Sequence, residues 1–277
     1  MSPQPPPLDV LIDTVLAHGA ERYRDFPWRN TTDPYAVLVS EVMLQQTQTS
    51  RVRRYFEAWI RRFPTIDALA AAATSDVLAA WQGLGYNRRA LALHTAATIV
   101  SECFGGVLPD TTDELRNLPG IGPATAAGIL AFAHNRPAAY LETNVRAVLL
   151  HEVFPDRDGV PDRELFSLLV QLSERVHARQ IGARQWNYAL LDYGAHLKAT
   201  LPVNPSRRSK HHSRQSPYEG SRRQKRARLL EAVLAESGQT TADLARACGF
   251  DLAIVEDVLG DLQREGFIHT ENNRWFS

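Results

Sequence analysis

The chain has 277 residues, 44% of them hydrophobic, with 31 lysines and arginines against 31 aspartates and glutamates. That length and apolar content predict a real core and about two domains, and zero net charge argues against a wholly basic nucleic-acid coat protein or a disordered acidic tail. No apolar run approaches the ~18 residues of a membrane span, the start MSPQPPPLDV lacks a basic region followed by an apolar one, and Cys103 and Cys248 stand far apart outside any metal-ligand spacing; no signal peptide, disulfide framework or cysteine-held metal centre is expected, and the expected location is the cytosol.

The first informative segment is PYAVLVSEVMLQQTQ (34–48). Its spacing predicts a helix that places Val37, Glu41 and Leu44 on one face. A carboxyl on a mostly apolar helix has a raised pKa and can hold a proton near neutrality and donate it. The alternative is a glutamate that snorkels or pairs with Arg29. Gln45, Gln46, Thr47 and Gln48 carry both donors and acceptors, which suits base edges or an ordinary polar surface.

Ala and Leu dominate 66–81, 90–103 and 124–134 at helical spacing, punctuated by Pro and Gly, while strand signals are scarce; the body is expected to be all-α. LGYNRRA (84–90) offers an aromatic on a glycine turn followed by Arg88 and Arg89, a combination that can wedge between bases while holding the backbone, or else a half-buried Tyr86. In LRNLPGIGPATAA (115–127) one helix ends near Asn117, Pro119, Gly120 and Gly122 form a tight turn, and a new helix starts near Pro123. Such a turn aims free backbone N–H groups at an anion, the way a helix-hairpin-helix grips a DNA phosphate, with an ordinary helical corner as the bland alternative.

YLETNVRAV (140–148) brings a second carboxylate, Glu142, followed by Asn144. Cleaving an N-glycosidic bond needs one acid to protonate the leaving base and one carboxylate to steady an oxocarbenium-like sugar, and the base must first leave the stack.

The zero net charge conceals a partition. Residues 1–205 carry 19 basic and 21 acidic groups, 206–228 carry nine and one, and 229–277 carry three and nine. The basic stretch reads as an exposed linker that either contacts phosphate or merely tethers. Beyond it, helices around 223–236, after Thr240 or Thr241, and over 252–265, followed by FIHTENNRWFS, predict a winged helix. Its third helix carries Asp251, Glu256, Asp257, Asp261 and Glu265 against Arg264 alone. Five carboxylates facing phosphate would repel it, so a packing or protein-contact module is expected rather than a groove reader.

FPWR (26–29), DPY (33–35), SEVMLQQTQ (40–48), GLGYNRRALALH (83–94), LPGIGPATA (118–126) and NVRAV (144–148) together resemble the helix-hairpin-helix DNA glycosylases, most closely the MutY-type adenine glycosylases, over roughly residues 9–200. The resemblance implies a two-lobed all-α body with the active site between the lobes, and removal of adenine mispaired with 8-oxoguanine or guanine. Glu41 falls on the family's catalytic glutamate, Trp28 and Arg29 on residues near the adenine, and Gln46, Thr47, Leu84 and Tyr86 on residues beside the opposite base. Leu118, Gly120, Gly122, Ala124 and Thr125 of the hairpin, with Gln45, Arg88, Arg89 and Asn144, complete the expected DNA contacts.

The pattern departs from the family in four places. The catalytic aspartate is Glu142, longer by about 1.5 Å, the length of one C–C bond. The Schiff-base lysine of bifunctional relatives is Ala124, so no lyase activity is expected. A glutamate that reads adenine falls on Tyr188, which weakens the adenine assignment. The four-cysteine iron–sulfur loop is missing, with Lys198 and Pro205 in place of its first two ligands, so no cofactor is expected. These residues predict a glycosylase body over 1–205, a basic linker over 206–222 and a winged-helix-like domain over 223–277. The expected partner is double-stranded DNA with a mismatch or oxidised base, bound by a monomer beside the chromosome, with the C-terminal domain free for a protein partner. A glycosylase for uracil or thymine, or a weakened lesion-binding paralogue, remains the alternative.

Overall fold

The computed structural model describes residues 6–211 and 217–277, so the first five residues and 212–216 of the expected linker lie outside the described residues. In chain order the helices are α1 (Leu8–Glu21), a 3₁₀ turn (Pro27–Arg29), α2 (Pro34–Leu44), α3 (Thr49–Arg62), α4 (Ile66–Ala70), α5 (Thr74–Trp81), α6 (Arg88–Phe104), α7 (Thr112–Arg116), α8 (Pro123–Phe132), α9 (Thr143–Glu152), α10 (Asp162–Ala178), α11 (Ala183–Thr200) and a second 3₁₀ turn (Pro205–Arg208). Then come α12 (Arg222–Ala235), α13 (Thr241–Cys248), α14 (Leu252–Arg264) and the strands β1 (His269–Glu271) and β2 (Arg274–Phe276).

The chain divides into two compact units. The first takes Met1–Glu41, Pro109–Asn117 and Ile121–Arg214; the second takes Val42–Leu108, Leu118–Gly120 and Gln215–Ser277. In the first, α11 is the central helix and packs on α1 and α9. Gly19 and Gly194 allow this: a Cβ on Gly19 would stand 2.4 Å from Ala189 Cα, and one on Gly194 2.1 Å from the Asn144 carbonyl oxygen. α8 is buried from Thr125 through Phe132, as its uninterrupted apolar sequence requires.

The second unit wraps α3, α5 and α6 around an aromatic centre, where Trp59 meets Trp81 edge-on at 5.4 Å. The apolar run expected as helical over 66–81 is two helices: α4 ends at Ala70, and the chain turns extended at Ala73 before α5 starts. Each start has its own signal that composition hides, Thr65 capping the Ala68 amide and Asp76 in the first turn of α5.

The C-terminal elements form the expected three helices and a hairpin. Thr240 caps α13 with a reciprocal bond to Asp243. Asn272 and Asn273, both at positive φ, make the two-residue turn that pairs His269 with Phe276 and Glu271 with Arg274. Leu229, Val233, Leu244, Val255, Leu259 and Phe267 form its core. The helices do not hang on a free tether, because α12 packs on α5 within the second unit. Nor is the stretch read as an exposed linker exposed throughout. Ser206 and Ser209 are buried, and the backbone of Arg208 and Lys210 bonds to Val160.

Candidate active site and DNA-facing loops

Glu41 sits near the end of α2, in a helix whose residues Tyr35 through Met43 are all buried. The helix is enclosed on every side rather than amphipathic, so the carboxyl has little access to water. Burial pushes Glu41 up to about 8, against a Tyr140 hydroxyl bond that favours the ionised form, and the nearby charge of Glu142 pushes further. Arg29 is not its partner. Arg29 is buried and donates to both carboxylate oxygens of Asp192 at 2.7 and 2.9 Å. The room for Glu41 comes from a glycine: a Cβ on Gly128 would lie 2.2 Å from Glu41 Oε2.

Around this carboxyl the first unit gathers aromatic groups. Tyr188 stacks on Phe132 at 4.5 Å, and the Arg29 guanidinium lies over the Tyr188 ring at 4.3 Å. Phe132 meets Tyr140 edge-on at 5.3 Å, and Trp28 stacks on Phe26 at 4.7 Å. Trp28, Arg29 and Tyr188, expected to line a base pocket, are all buried.

Glu142 is the N-cap of α9. Its Oε1 accepts from the backbone of Asn144 at 2.6 Å and of Val145 at 3.0 Å, and Oε2 accepts from Asn144 Nδ2 at 3.4 Å. Glutamate is an unusual cap, but the extra methylene lets one oxygen take both free amides at the positive helix end. Burial raises the Glu142 pKa, while the Val145 and Asn144 amides and the Lys198 charge oppose the rise. Lys198 donates to Asn144 Oδ1 at 3.2 Å, so Asn144 is held between Lys198 and Glu142.

In the second unit, the expected DNA-facing residues divide into exposed tips and hidden supports. Gln46 and Tyr86 are exposed, both at positive φ of 53° and 50°, a conformation that non-glycine residues adopt at a cost of about 1 kcal/mol or more. Leu84, expected beside the opposite base, is 2% exposed, and its side chain belongs to the core. Arg89, expected at phosphate, is spent on the protein's own backbone. It donates to the carbonyls of Val42, Met43 and Gln45 at 2.9, 3.0 and 2.5 Å, to those of Leu84 and Gly85 at 3.3 and 2.9 Å, and to Thr47 Oγ1 at 3.1 Å. Burial pulls the guanidinium down to about 10. One arginine thus ties the glutamine loop to the Tyr86 turn. Arg88 pairs in two bonds with Glu265 at 2.8 and 2.6 Å.

The hairpin turn has the expected form. Asn117 closes α7, Gly120 stands at φ +77°, and Pro123 occupies the first turn of α8 after Gly122. Gly120 is also sterically required, since a Cβ there would come 2.9 Å from Ala92 Cβ, and its carbonyl accepts from Gln45 Nε2 at 3.3 Å. Leu118 and Thr125 are buried, so the hairpin offers backbone there rather than those side chains; Ala124 is part-buried. Arg222 of the basic stretch bonds to Asp257 and Asp261, and Arg226 to Glu265. The acidic third helix therefore pairs with these arginines, which the sequence reads as either phosphate contacts or part of a tether.

Tyr140, Gly128 and Asp192 are not marked by the sequence, and Lys198 is marked only as standing at a missing cluster ligand's place, not as a partner of the site. Tyr140 lies two residues before Glu142, a local signal. The other three act across 54 to 163 positions or through an absent side chain, which no motif of adjacent residues reveals.

Residues 39–169 match the family of HhH-GPD superfamily base excision DNA repair proteins. The chain is 35% identical over 283 aligned residues to an adenine DNA glycosylase of Mycobacterium tuberculosis, covering 95% of this chain and 91% of that protein. To the human adenine DNA glycosylase it is 40% identical over 145 residues, covering 49% of this chain and 27% of that one. The fold is shared with a thermostable thymine-DNA glycosylase, at a TM-score of 0.60 and 24% identity over 71% of this chain and 90% of that one. It is shared also with an endonuclease III trapped on DNA, at 0.53 and 17% over 76% and 89%. The enclosed glutamate, the glycine hairpin and a relative matched along nearly its whole length agree: the chain belongs to the HhH-GPD superfamily of base excision DNA repair proteins, among its MutY-type adenine DNA glycosylases.

Proposed function

We propose that this chain is a monofunctional glycosylase that hydrolyses the N-glycosidic bond of adenine opposite 8-oxoguanine or guanine in double-stranded DNA. The observation that carries this reading is the pair of unlike carboxyls in one unit, Glu41 enclosed in the buried α2 with its carboxyl pushed up to about 8, and Glu142 anchored by the Asn144 and Val145 amides at the start of α9. Burial pushes both carboxyls up, but at Glu142 the helix amides and the Lys198 charge oppose the rise, and such a difference in surroundings suits an acid and a charge stabiliser. As the bond to the base breaks, its electron pair goes to the base, and Glu41 delivers the proton that the leaving base needs. Glu142 faces the positive charge developing on the sugar, and water adds to that carbon, its released proton passing to the Glu41 carboxylate, to leave an abasic site.

Trp28, Arg29 and Tyr188 line the base pocket in this reading. Gln46 and Tyr86 meet the opposite base, and the Gly120–Gly122 backbone grips a phosphate. Ala124 offers no amine, so the route through an imine is closed at that position. The family's iron–sulfur cluster does not fit this chain. Such a cluster takes four thiolates, the sequence has two cysteines, and Lys198 and Pro205 at the first two ligand places are engaged in the first unit. The enzyme works without it, as a monomer on chromosomal DNA in the cytoplasm.

Tyr188, where relatives are expected to carry a glutamate, favours a second reading in which the target is uracil or thymine. Single-turnover assays on A:8-oxoG, A:G, T:G, U:G and hypoxanthine:T duplexes separate the two. Release of adenine alone supports the first; release from U:G or T:G with A:8-oxoG intact refutes it. Borohydride added during turnover is expected to trap no protein–DNA adduct, and a trapped adduct overturns the monofunctional assignment.

A further inference from the structure

Tyr86, the residue read as the wedge beside the opposite base, has a partner in the C-terminal helices. Arg223, in the first turn of α12, donates from Nη1 to the Tyr86 hydroxyl at 2.6 Å, and its guanidinium carbon lies 5.6 Å from the ring centroid. The backbone under the ring is held separately. Trp81 Nε1 and Arg89 both donate to the Gly85 carbonyl, at 3.1 and 2.9 Å. The base of the tyrosine is therefore fixed by the body, and its tip by the C-terminal module.

What brings Arg223 to that tip is a three-way ion pair. Glu265, at the end of α14, accepts two bonds from Arg88 of α6 and one from Arg226 of α12 at 2.6 Å. Arg88 follows Tyr86 by two residues and Arg226 follows Arg223 by three, so one carboxylate aligns the two short segments side by side. The paired cations hold the Glu265 carboxyl below its usual range. Acids on α14 that looked hostile to DNA are consumed in this docking. The Arg222 pairs with Asp257 and Asp261 extend it.

We propose that Arg223 is a positioning residue for mismatch recognition: the C-terminal module is a fixed part of the reading edge, holding the Tyr86 hydroxyl so that the ring is presented to the mismatched pair in one orientation. This inference rests on the reading of Tyr86 as the opposite-base wedge. An exposed tyrosine has two free side-chain torsions, and freezing them before binding removes an ordering cost at the moment of recognition. The expected gain is selective. A preset wedge helps a helix that opens at a mismatch and does little for fully paired DNA, whereas a phosphate contact would help both equally.

The test uses the full chain in a Glu41→Gln background, with binding measured on an A:8-oxoG duplex and on the matching A:T duplex across a salt series. Wild-type adenine release from A:8-oxoG is measured first, and its absence sinks the proposed function rather than this inference. With release present, Arg223→Ala is expected to weaken mismatch binding about tenfold while changing A:T binding less than about twofold. Tyr86→Phe, which removes only the hydroxyl, is expected to do the same, the double variant to be no worse than either single one, and Arg223→Lys to recover most of the loss. Equal weakening on both duplexes with a salt slope flatter by about 0.9 makes Arg223 a phosphate contact and overturns the proposal. Additive losses, or tighter mismatch binding by Arg223→Ala, overturn it as well. Because Tyr86→Phe leaves the ring and its packing in place, it decides the matter even if Arg223→Ala folds poorly.

Discussion

The two units handle buried charge in opposite ways. The first leaves a carboxyl, Glu41, inside an apolar enclosure with a tyrosine and another acid for company, and the result is a shifted proton affinity. The second leaves the Arg89 guanidinium half-buried but surrounds it with seven backbone and hydroxyl oxygens, and the result is rigidity. An under-compensated charge is reactive, whereas a fully compensated one is structural. The first unit uses a related device at Arg29, whose two terminal nitrogens both donate to the Asp192 carboxylate. The difference teaches that burial alone does not mark a functional site; the mismatch between a group and its partners does.

Breaking the reactive side has the largest expected effect. Glu41→Gln is expected to lower single-turnover base release about 10²- to 10⁴-fold while DNA binding stays within a few-fold. Release at the wild-type rate would remove Glu41 from the mechanism. In the wild type the rate is expected to fall as pH rises past about 8, where Glu41 loses its proton. Stability has the same sign. The folded value lies above the unfolded 4.5, so this group's stabilisation is complete below pH 4.5 and is lost as pH climbs to about 8. Urea titrations of Glu41→Gln are therefore expected to show a flatter pH dependence across that window.

Gly128→Ala tests whether the placement of the acid matters as much as its presence. The new methyl must displace the carboxyl, and an expected loss of about 10²-fold in release, with binding unchanged, follows from a shift of roughly an ångström. Unaltered kinetics would mean that the enclosure tolerates a Cβ.

Arg89→Met probes the structural device in the second unit. It strands several carbonyls, and urea denaturation is expected to show a loss of about 2–4 kcal/mol. DNA affinity should fall because two loops loosen, yet the salt slope should hold its wild-type value, since no phosphate contact is removed. A flatter slope would return Arg89 to the DNA backbone.

The smallest effect is expected from Lys198→Met. Without that cation the Glu142 carboxyl rises further, so the acid limb of the pH–rate profile moves to higher pH while the alkaline limb near 8 stays. A shift of the alkaline limb instead would tie Lys198 to Glu41.

Much of this molecule was decided by residues close in sequence. The glycine turn at 118–123, the capped helix after Thr240, the Asn272–Asn273 hairpin and the apolar helix around Glu41 are local, because backbone conformation and periodicity depend on neighbours within about a turn. The family motifs are compact for the same reason, and the two carboxyls were legible in them. The roles of the arginines were not. Arg88, Arg89, Arg222 and Arg226 lie in basic runs that look alike, and composition cannot tell a phosphate contact from a tether or a structural ion pair. Only the tertiary structure sends Arg89 to backbone carbonyls and Arg88, Arg222 and Arg226 to α14, because the energy of a charge is set by the oxygens that distant segments bring within a few ångströms of it.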